Sequence, residues 1–186
     1  PQGTKLLRDI DPKGSSSPSP LGPLPGNGFA FAATEPEHGT EAWVTYGSAA
    51  STRLLADVSV WPQPRNQGSD PELLCELDGR LFLMADDGSR GRELWSFDVR
   101  SQQLRFEREF VTGAPSSKVF VLGQVRGALL VHAETDKGWQ VFRRNPINAQ
   151  YEALSDAAFF WYLPRPLGVS LGDQVFFTGP WGELWS

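Results

Sequence analysis

A motif of an acid or amide, an apolar residue and an aromatic residue recurs along the chain. Its four copies are Glu41-Ala42-Trp43, Glu93-Leu94-Trp95, Gln140-Val141-Phe142 and Glu183-Leu184-Trp185. In the first three copies an acid follows the aromatic residue after 14 positions (43 to 57, 95 to 109, 142 to 156). The same spacing is not expected three times by chance, so the chain is built from repeats. A repeated unit restricts the folds that the chain can adopt.

Each repeat also contains further short apolar runs bounded by Gly, Pro, Asp and Asn. In the second repeat, residues 73–77 and 81–85 precede the motif and residues 105–110 follow it. Short runs with such boundaries are typical of strands, and no window carries three turns of helical apolar spacing. Residues 81–84 are apolar at successive positions, so we expect both faces of this strand to be covered, as in stacked sheets.

Four units of four strands predict an all-β fold, a four-bladed β-propeller with four-stranded antiparallel blades. The predicted blades are approximately residues 17–58, 70–110, 116–157 and 164–186, and residues 4–10 complete the last one, so that residues 1–186 form one domain. We label the strands of each blade A to D in chain order. The last blade ends after strand C, whereas residues 5–10 have the pattern of strand D.

We therefore expect residues 5–10 to pair beside residues 183–185 and close the ring, which leaves no exposed edge between the first and last blades. The alternative is an open or partial array taken from a longer repeat protein.

Two stretches carry a resemblance to a known repeat. ADDGS at 85–89 followed by GRELW at 91–95, and GTKLLRDIDPKGSSSPSPL at 3–21, resemble the bacterial ELWxxDGT repeat. The chain departs from that repeat after Trp95, where Ser96-Phe97-Asp98 replaces SDGT, and in the third copy, which reads GWQVF. Proteins with this repeat look like binding scaffolds, so the resemblance implies a β-propeller-like protein that is exported, at the cell surface or in the extracellular or periplasmic space. It supplies no catalytic residues.

The composition limits the classes of partner. With 17 Lys and Arg against 22 Asp and Glu, the net charge is −5, and we expect no nucleic acid partner. No apolar run approaches the roughly 18–20 residues of a membrane span. The single Cys75 excludes an internal disulfide and a thiolate zinc cluster. The sequence does not indicate the oligomeric state.

Candidate catalytic and metal-binding residues are few. His132 lies in the apolar run 129–133 and is predicted to be a packed strand residue, and His38 is predicted to be a solvated loop residue. Residues 86–89 lack the alternating acids and distal Glu of a calcium loop, which favours a polar hairpin turn. We therefore expect no catalytic residues, no metal ligands and no cofactor.

Two recurring sets of residues leave an ion site open as an alternative. One set is the acids or amides that begin strand C, and the other is the acids that end strand D. Because both sets recur in every blade, we expect these side chains to bond turn amides rather than to share an ion site. The strand D acids are Asp9, Asp57, Glu109 and Asp156. Strand A is expected to line a central channel, where an ion or water could be held. The residues expected to converge there are Gly22, Cys75, Gly123 and Gly168.

Function is expected where the repeat is broken, on the face from which the B–C and D–A connections emerge. This face is predicted to carry an aromatic platform with a polar rim, recognising a protein or glycan ligand without catalysis. The platform residues are Trp61, Phe160, Trp161 and Trp181, and the rim residues are Arg90, Arg92, Asp87 and Glu37.

Three alternatives remain open for this face and for the chain. The aromatic rings could instead plug the spaces between blades. The chain could be a structural repeat segment of a larger surface protein, or a hydrolase or lyase that uses Glu37 and Asp87 as a carboxylate pair.

Overall fold

The structure, a computed structural model, describes residues 3–59, 68–113, 115–154, 168–178 and 184–186. These residues form fifteen strands and no helix. All strand pairs are antiparallel, and each sheet follows chain order. The all-β, antiparallel prediction is therefore confirmed.

The strands form four successive sheets, which we call blades 1 to 4. Blade 1 contains β1 (Ser19–Leu24), β2 (Gly28–Glu35), β3 (Gly39–Thr45) and β4 (Arg53–Ala56). Blade 2 contains β5 (Glu72–Leu77), β6 (Arg80–Asp86), β7 (Arg92–Asp98) and β8 (Gln103–Arg108). Blade 3 contains β9 (Val119–Val125), β10 (Ala128–Thr135), β11 (Gly138–Arg144) and β12 (Tyr151–Ala153). Blade 4 contains β13 (Gly168–Leu171), β14 (Gln174–Thr178) and β15 (Leu184–Trp185).

The first strands of successive blades lie side by side, with β1 against β5, β5 against β9 and β9 against β13. Glycine makes the last of these approaches possible, because a Cβ atom on Gly168 would lie 1.6 Å from the carbonyl oxygen of Leu122. A Cβ atom on Gly22 would similarly lie 2.7 Å from Leu73 Cδ2. The sheets are therefore stacked around their first strands, which gives a β-propeller-like fold of repeated antiparallel blades.

Blades 1 to 3 each bury the face that points toward the following blade, called the back face, against the opposite, front face of that blade. Between blades 1 and 2 the core contains Leu24, Ala30, Ala42, Val44 and Leu55 with Leu81, Leu83 and Phe97. Between blades 2 and 3 it contains Leu77, Phe82, Met84, Leu94 and Phe110 with Val119, Leu129, Val131, Ala133 and Phe142. Between blades 3 and 4 it contains Leu122 and Val141 with Val175. The expectation that both faces of the second strand are covered is confirmed in blade 2.

The aromatic residues of the repeated motif are core residues to different degrees. Trp43 and Phe142 are buried, whereas Trp95 is half-buried and makes an edge contact with Phe106 at a centroid distance of 5.2 Å. The side chain of Trp185 lies outside the described part of the structure.

The interface between blades 2 and 3 also contains a buried ion pair. Arg144 Nε lies 2.7 Å from Glu107 Oε2, and Arg144 Nη2 donates to Glu107 Oε1 at 2.9 Å. The hydroxyls of Ser96 and Tyr151 also donate to this carboxylate, at 2.6 and 3.2 Å. Although burial raises the pKa of Glu107, its bonds to Arg144 outweigh that effect and hold the pKa below its usual value.

The ends of the chain differ from the prediction. Residues 5–10 form no strand, and β15 pairs only with β14 within the described residues. Instead, Ile10 packs on the front face of blade 1 against Trp43, and Arg8 Nη1 donates to the carbonyl oxygen of Thr52 at 2.6 Å. Among the described residues, this apolar and cationic segment contacts a sheet face and an aromatic ring, and no pairing with residues 184–185 is found.

Candidate functional site

The B–C turns and D–A connections are joined by hydrogen bonds at one edge of the blades. Asp70 N donates to the Thr40 carbonyl oxygen at 3.1 Å, and Ser117 N donates to the Arg92 carbonyl oxygen at 3.0 Å. Thr112 Oγ1 donates to a carboxylate oxygen of Asp136 at 2.6 Å. These bonds join connections of both kinds, as predicted, and we call this edge the loop face.

A buried carboxylate holds both described ends of the first D–A connection. Glu41 accepts hydrogen bonds from Val58 N at 3.3 Å, Ser59 N at 3.4 Å and Ser69 N at 2.8 Å, and also from Ser69 Oγ. Burial raises the pKa of Glu41 although these donors oppose it. The first acid of the repeated motif therefore fixes a loop to the sheet.

The equivalent carboxylate in blade 2 has fewer partners. Glu93 Oε2 accepts from Ser117 Oγ at 2.6 Å and from Phe110 N at 3.4 Å, whereas the buried Oε1 has no hydrogen-bond partner among the described residues. Burial raises the pKa of Glu93 to about 7, and the charge of Glu109 adds to the effect. The predicted bonding of strand C acids to loop groups is thus confirmed for Glu41 and Glu93.

Two of the strand D acids, Asp57 and Glu109, lie directly after the ends of β4 and β8. Glu109 accepts a hydrogen bond from Gly113 N at 2.7 Å, and Asp57 Oδ2 lies 3.9 Å from His38 Nε2. Asp156 lies outside the described residues. Glu109 is thus bonded to a turn amide, as predicted for this set.

Two predicted rim residues, Asp87 and Arg90, are bound to each other in the B–C turn of blade 2. Asp87 Oδ1 accepts from Ser89 N at 2.8 Å and Arg90 N at 3.0 Å, and Oδ2 forms an ion pair with Arg90. Although burial raises the pKa of Asp87, these bonds hold it below its usual value. Asp87 is consequently an ionised carboxylate that organises its turn, which confirms the predicted polar hairpin turn.

The B–C turn of blade 1 contains a cluster of Glu35, Glu37 and His38, whose ligand-type atoms lie within 4.8 Å of one another. Glu35 accepts from Glu37 N at 3.1 Å and His38 N at 3.0 Å, and it also bonds His38 Nδ1. That bond to Glu35 raises the pKa of His38. Carboxylates and imidazole are metal-ligand types, but both oxygens of Glu35 already receive donors within the turn. His38 is therefore a partly exposed turn residue whose ring is bonded to Glu35.

A cleft of about 530 Å³ opens at the loop face between blades 2 and 3. Its lining comes from the starts of β5 and β9, from the connection between these blades and from β6 and β7. The lining residues are Glu72, Leu73, Leu74, Met84, Arg92, Ser116, Ser117, Lys118, Val119, Phe120 and Val121. Of these, sequence reasoning identified only Arg92.

Polar groups are concentrated at the rim of the cleft. Arg92 Nη2 lies 3.4 Å from Glu72 Oε2, and Nη1 donates to the carbonyl oxygen of Asp70. Ser116 Oγ accepts from Arg92 N at 3.0 Å. Lys118 Nζ lies 3.1 Å from Glu134 Oε2. The cleft thus combines two cationic side chains and a hydroxyl with an apolar floor.

The remaining predicted site residues have varied outcomes. Trp61, Phe160, Trp161 and Trp181 lie outside the described residues, so the aromatic platform stays a prediction. Glu37 is exposed in its turn. His132 is buried as predicted and contacts Trp139 at a centroid distance of 4.7 Å, and burial lowers its pKa to about 4. Cys75 is half-buried, and burial raises the pKa of its thiol to about 12.

Comparison with known proteins gives a distant structural similarity. No family model matches the chain, and no curated protein matches it. Among solved structures, it is similar to the crystal structure of TolB from Acinetobacter baumannii, with a TM-score of 0.48 and 12% sequence identity. The match covers 89% of this chain and 42% of that chain, so this chain spans less than half of the TolB chain. At this level of similarity, the function of TolB does not transfer.

Within the described residues, no helix is long and apolar enough to cross a membrane.

Proposed function

We propose that this chain is a non-catalytic binding or scaffold module that recognises a protein or glycan ligand through its loop face. The observation that carries the proposal is the cleft of about 530 Å³ between blades 2 and 3, whose volume falls within the range of ligand sites. Its walls belong to strands and to a connection that is hydrogen-bonded to β7.

The hydrogen bonds of the loop face support binding because they hold its connections in place before a ligand arrives. Glu41 and Glu93 attach the D–A connections to the sheets, and Asp87 organises the adjacent turn. A site that is ordered in advance loses less conformational entropy on binding.

The protonation state of Asp87 favours the binding function over the hydrolase or lyase alternative. A general acid must carry a proton, but the pKa of Asp87 is held below its usual value by groups that favour the ionised carboxylate. Asp87 therefore does not meet the requirement for a general acid in a carboxylate pair with Glu37.

Three further proposals concern the aromatic residues, the closure of the ring and the repeat family. The aromatic residues Trp61, Phe160, Trp161 and Trp181 would form a recognition platform on the loop face. The four blades would form a closed ring, with blade 4 against the front face of blade 1. The chain would belong to an exported ELWxxDGT-type repeat protein, as the sequence resemblance implies.

The experiment that tests the function is binding of the full chain to peptide and glycan arrays. We expect a ligand whose binding is weakened by Arg92→Gln and by Trp161→Ala, without a change in melting temperature. Arg100→Gln is the matched control, because Arg100 is an exposed residue of the turn between β7 and β8, at the opposite edge of the blade. Absence of any ligand on both arrays would favour the structural repeat segment.

A further inference from the structure

We propose that His38, Glu37 and Asp57 form a binding site for a divalent transition-metal ion such as Zn²⁺ on the loop face of blade 1. This site goes beyond the proposed function, because none of its residues lines the cleft between blades 2 and 3. It joins two elements of the blade. His38 and Glu37 belong to the turn between β2 and β3, whereas Asp57 directly follows β4.

The bond between His38 and Glu35 leaves one imidazole nitrogen available to an ion. His38 Nδ1 bonds a carboxylate oxygen of Glu35, and an ionised carboxylate can only accept, so Nδ1 carries the proton. In the neutral ring Nε2 then holds a lone pair. Histidine ligands of metals usually have such a carboxylate behind them, which fixes the tautomer and the orientation of the ring. Glu35 is therefore a positioning residue of the site rather than a ligand.

His38 Nε2 faces Asp57 across a distance that suits an ion. Nε2 lies 3.9 Å from Asp57 Oδ2, which is too long for a hydrogen bond. Zinc bonds measure about 2.0–2.1 Å to nitrogen and about 2.0–2.2 Å to a carboxylate oxygen, so one ion between these two atoms can bind both. The two side chains are 34% and 35% exposed, and an ion can therefore enter from the solvent.

Glu37 supplies the third ligand. A ligand-type atom of Glu37 lies within 4.8 Å of those of His38 and Glu35. Glu37 is exposed, so its carboxylate can turn toward the ion without leaving a packed position. Three protein ligands leave one position of a tetrahedral site for water or for an oxygen atom of an external ligand.

Both elements of the site are held in place by hydrogen bonds that do not involve the ligand atoms. His38 N donates to Glu35 Oε1 at 3.0 Å, which fixes the turn. Val58 N, next to Asp57, donates to Glu41 Oε2 at 3.3 Å, which fixes the start of the first D–A connection. Ligands on ordered elements lose less conformational entropy when the ion binds.

The donor atoms select the class of metal. One imidazole nitrogen with carboxylate oxygens suits Zn²⁺ and other first-row transition metals, whereas Ca²⁺ and Mg²⁺ bind through oxygen atoms. The chain has two histidines, and His132 is buried, so His38 is the histidine that an ion from the solvent can reach.

The test is a Zn²⁺ titration of the full chain at about pH 8, where an unperturbed imidazole is neutral. Competition with a chromophoric chelator measures the affinity, and NMR of the imidazole nitrogens identifies the ligand. We expect one ion per chain, with shifted signals of His38 and unchanged signals of His132. The affinity should fall at least tenfold in His38→Gln and in Asp57→Asn. It should fall about 10–100-fold in Glu35→Gln, although Glu35 does not touch the ion.

Glu152→Gln is the matched control, because Glu152 is an exposed acid of β12 in blade 3, and this variant should bind like the unmodified chain. An ion that binds the folded chain stabilises it, so Zn²⁺ should raise the melting temperature of the unmodified chain and not that of Asp57→Asn. Melting curves without metal identify any variant that fails to fold.

Three results would overturn the inference. Unchanged His38 signals at saturating Zn²⁺ would show that the imidazole is not a ligand. An unchanged affinity of Asp57→Asn would reject a site that joins the two elements. Equal affinity for Mg²⁺ would show that the nitrogen atom does not select the ion.

Discussion

The first residue of the repeated motif has different hydrogen-bond donors around its side chain in each blade. Glu41 is surrounded by four donor groups from the connection that it holds, whereas Glu93 receives two and leaves a buried oxygen without a partner among the described residues. In blade 3 the position is occupied by the neutral Gln140, which accepts from Thr135 Oγ1 at 3.2 Å. The negative charge is therefore matched by donors at Glu41 and poorly matched at Glu93.

We expect Glu93→Gln to remove a pH dependence of stability. The folded-state pKa of Glu93 is raised to about 7, so its stabilising contribution is complete below the unfolded value near 4.5 and is lost as the pH rises through 7. Gln cannot ionise, so the variant should gain about 2–3 kcal/mol relative to the unmodified chain between pH 5 and pH 8. Urea unfolding at the two pH values measures this difference.

Glu41→Gln is the control for this prediction. Its amide nitrogen would face backbone and hydroxyl donors, so we expect the variant to be destabilised at both pH values. A pH-independent difference between Glu93→Gln and the unmodified chain would contradict the prediction.

The buried aromatic residue of blade 3 should contribute more stability than its counterpart in blade 2. Phe142 is 2% exposed and contacts the ring of Phe110 at 5.1 Å, so Phe142→Ala should cost about 3–5 kcal/mol. Trp95 is half-buried, and we expect Trp95→Ala to cost less. Denaturant unfolding of the two variants tests the order, and equal or reversed losses would show that exposure does not control it.

At the scale of elements, equivalent positions at two blade interfaces hold different chemistry. Leu55 and Glu107 are the bulged residues of β4 and β8, and Phe97 and Arg144 each lie two positions after the repeated aromatic residue. The first interface therefore places Leu55 and Phe97 in one apolar core, and the second places Glu107 against Arg144.

A double-mutant cycle should show that Glu107 and Arg144 act as a unit. Glu107→Leu or Arg144→Phe alone leaves a buried charge without its partner and should cost about 3–5 kcal/mol. The double variant reproduces the Leu and Phe pair of the first interface, so it should lose much less than the sum. It retains a smaller loss because Ser96 and Tyr151 lose their acceptor. Additive free energies of unfolding would contradict this coupling.

The sequence predicts most strands because each short apolar run is bounded by turn residues. In the second repeat, the predicted runs 73–77 and 81–85 each begin one residue after the observed strands β5 and β6 begin. The run 6–10 is misread because apolar residues look the same in sequence whether they pair at a strand edge or, like Ile10, pack on a sheet face. The cleft is missed for a related reason, since its lining comes from two blades that are distant in sequence.

At the scale of the whole molecule, two sheet faces at the ends of the array lack a neighbouring blade within the described residues. The front face of blade 1 has Ile10 as its apolar cover, and on blade 4 the side chains of Val169 and Leu184 are 65% and 70% exposed. The proposed closed ring would place these two faces against each other.

Val169→Asp distinguishes the closed ring from the open array. In a closed ring Val169 is buried against blade 1, so introducing a carboxylate should lower the free energy of unfolding by several kcal/mol. Ile147→Asp is the matched control, because Ile147 is 94% exposed in the turn between β11 and β12 and should tolerate the change. Identical melting temperatures of both variants and the unmodified chain would reject closure.

The ion pair between Glu107 and Arg144 also limits how such a chain can evolve by recombination. A tandem duplication of the second repeat would place Glu107 of the first copy against Phe97 of the second, while Glu107 of the second copy would still meet Arg144. The new junction would bury a carboxylate with no cation, a defect that selection removes unless a second substitution accompanies it. We therefore expect repeats to be gained or lost more readily at an apolar junction than at the junction between the second and third repeats.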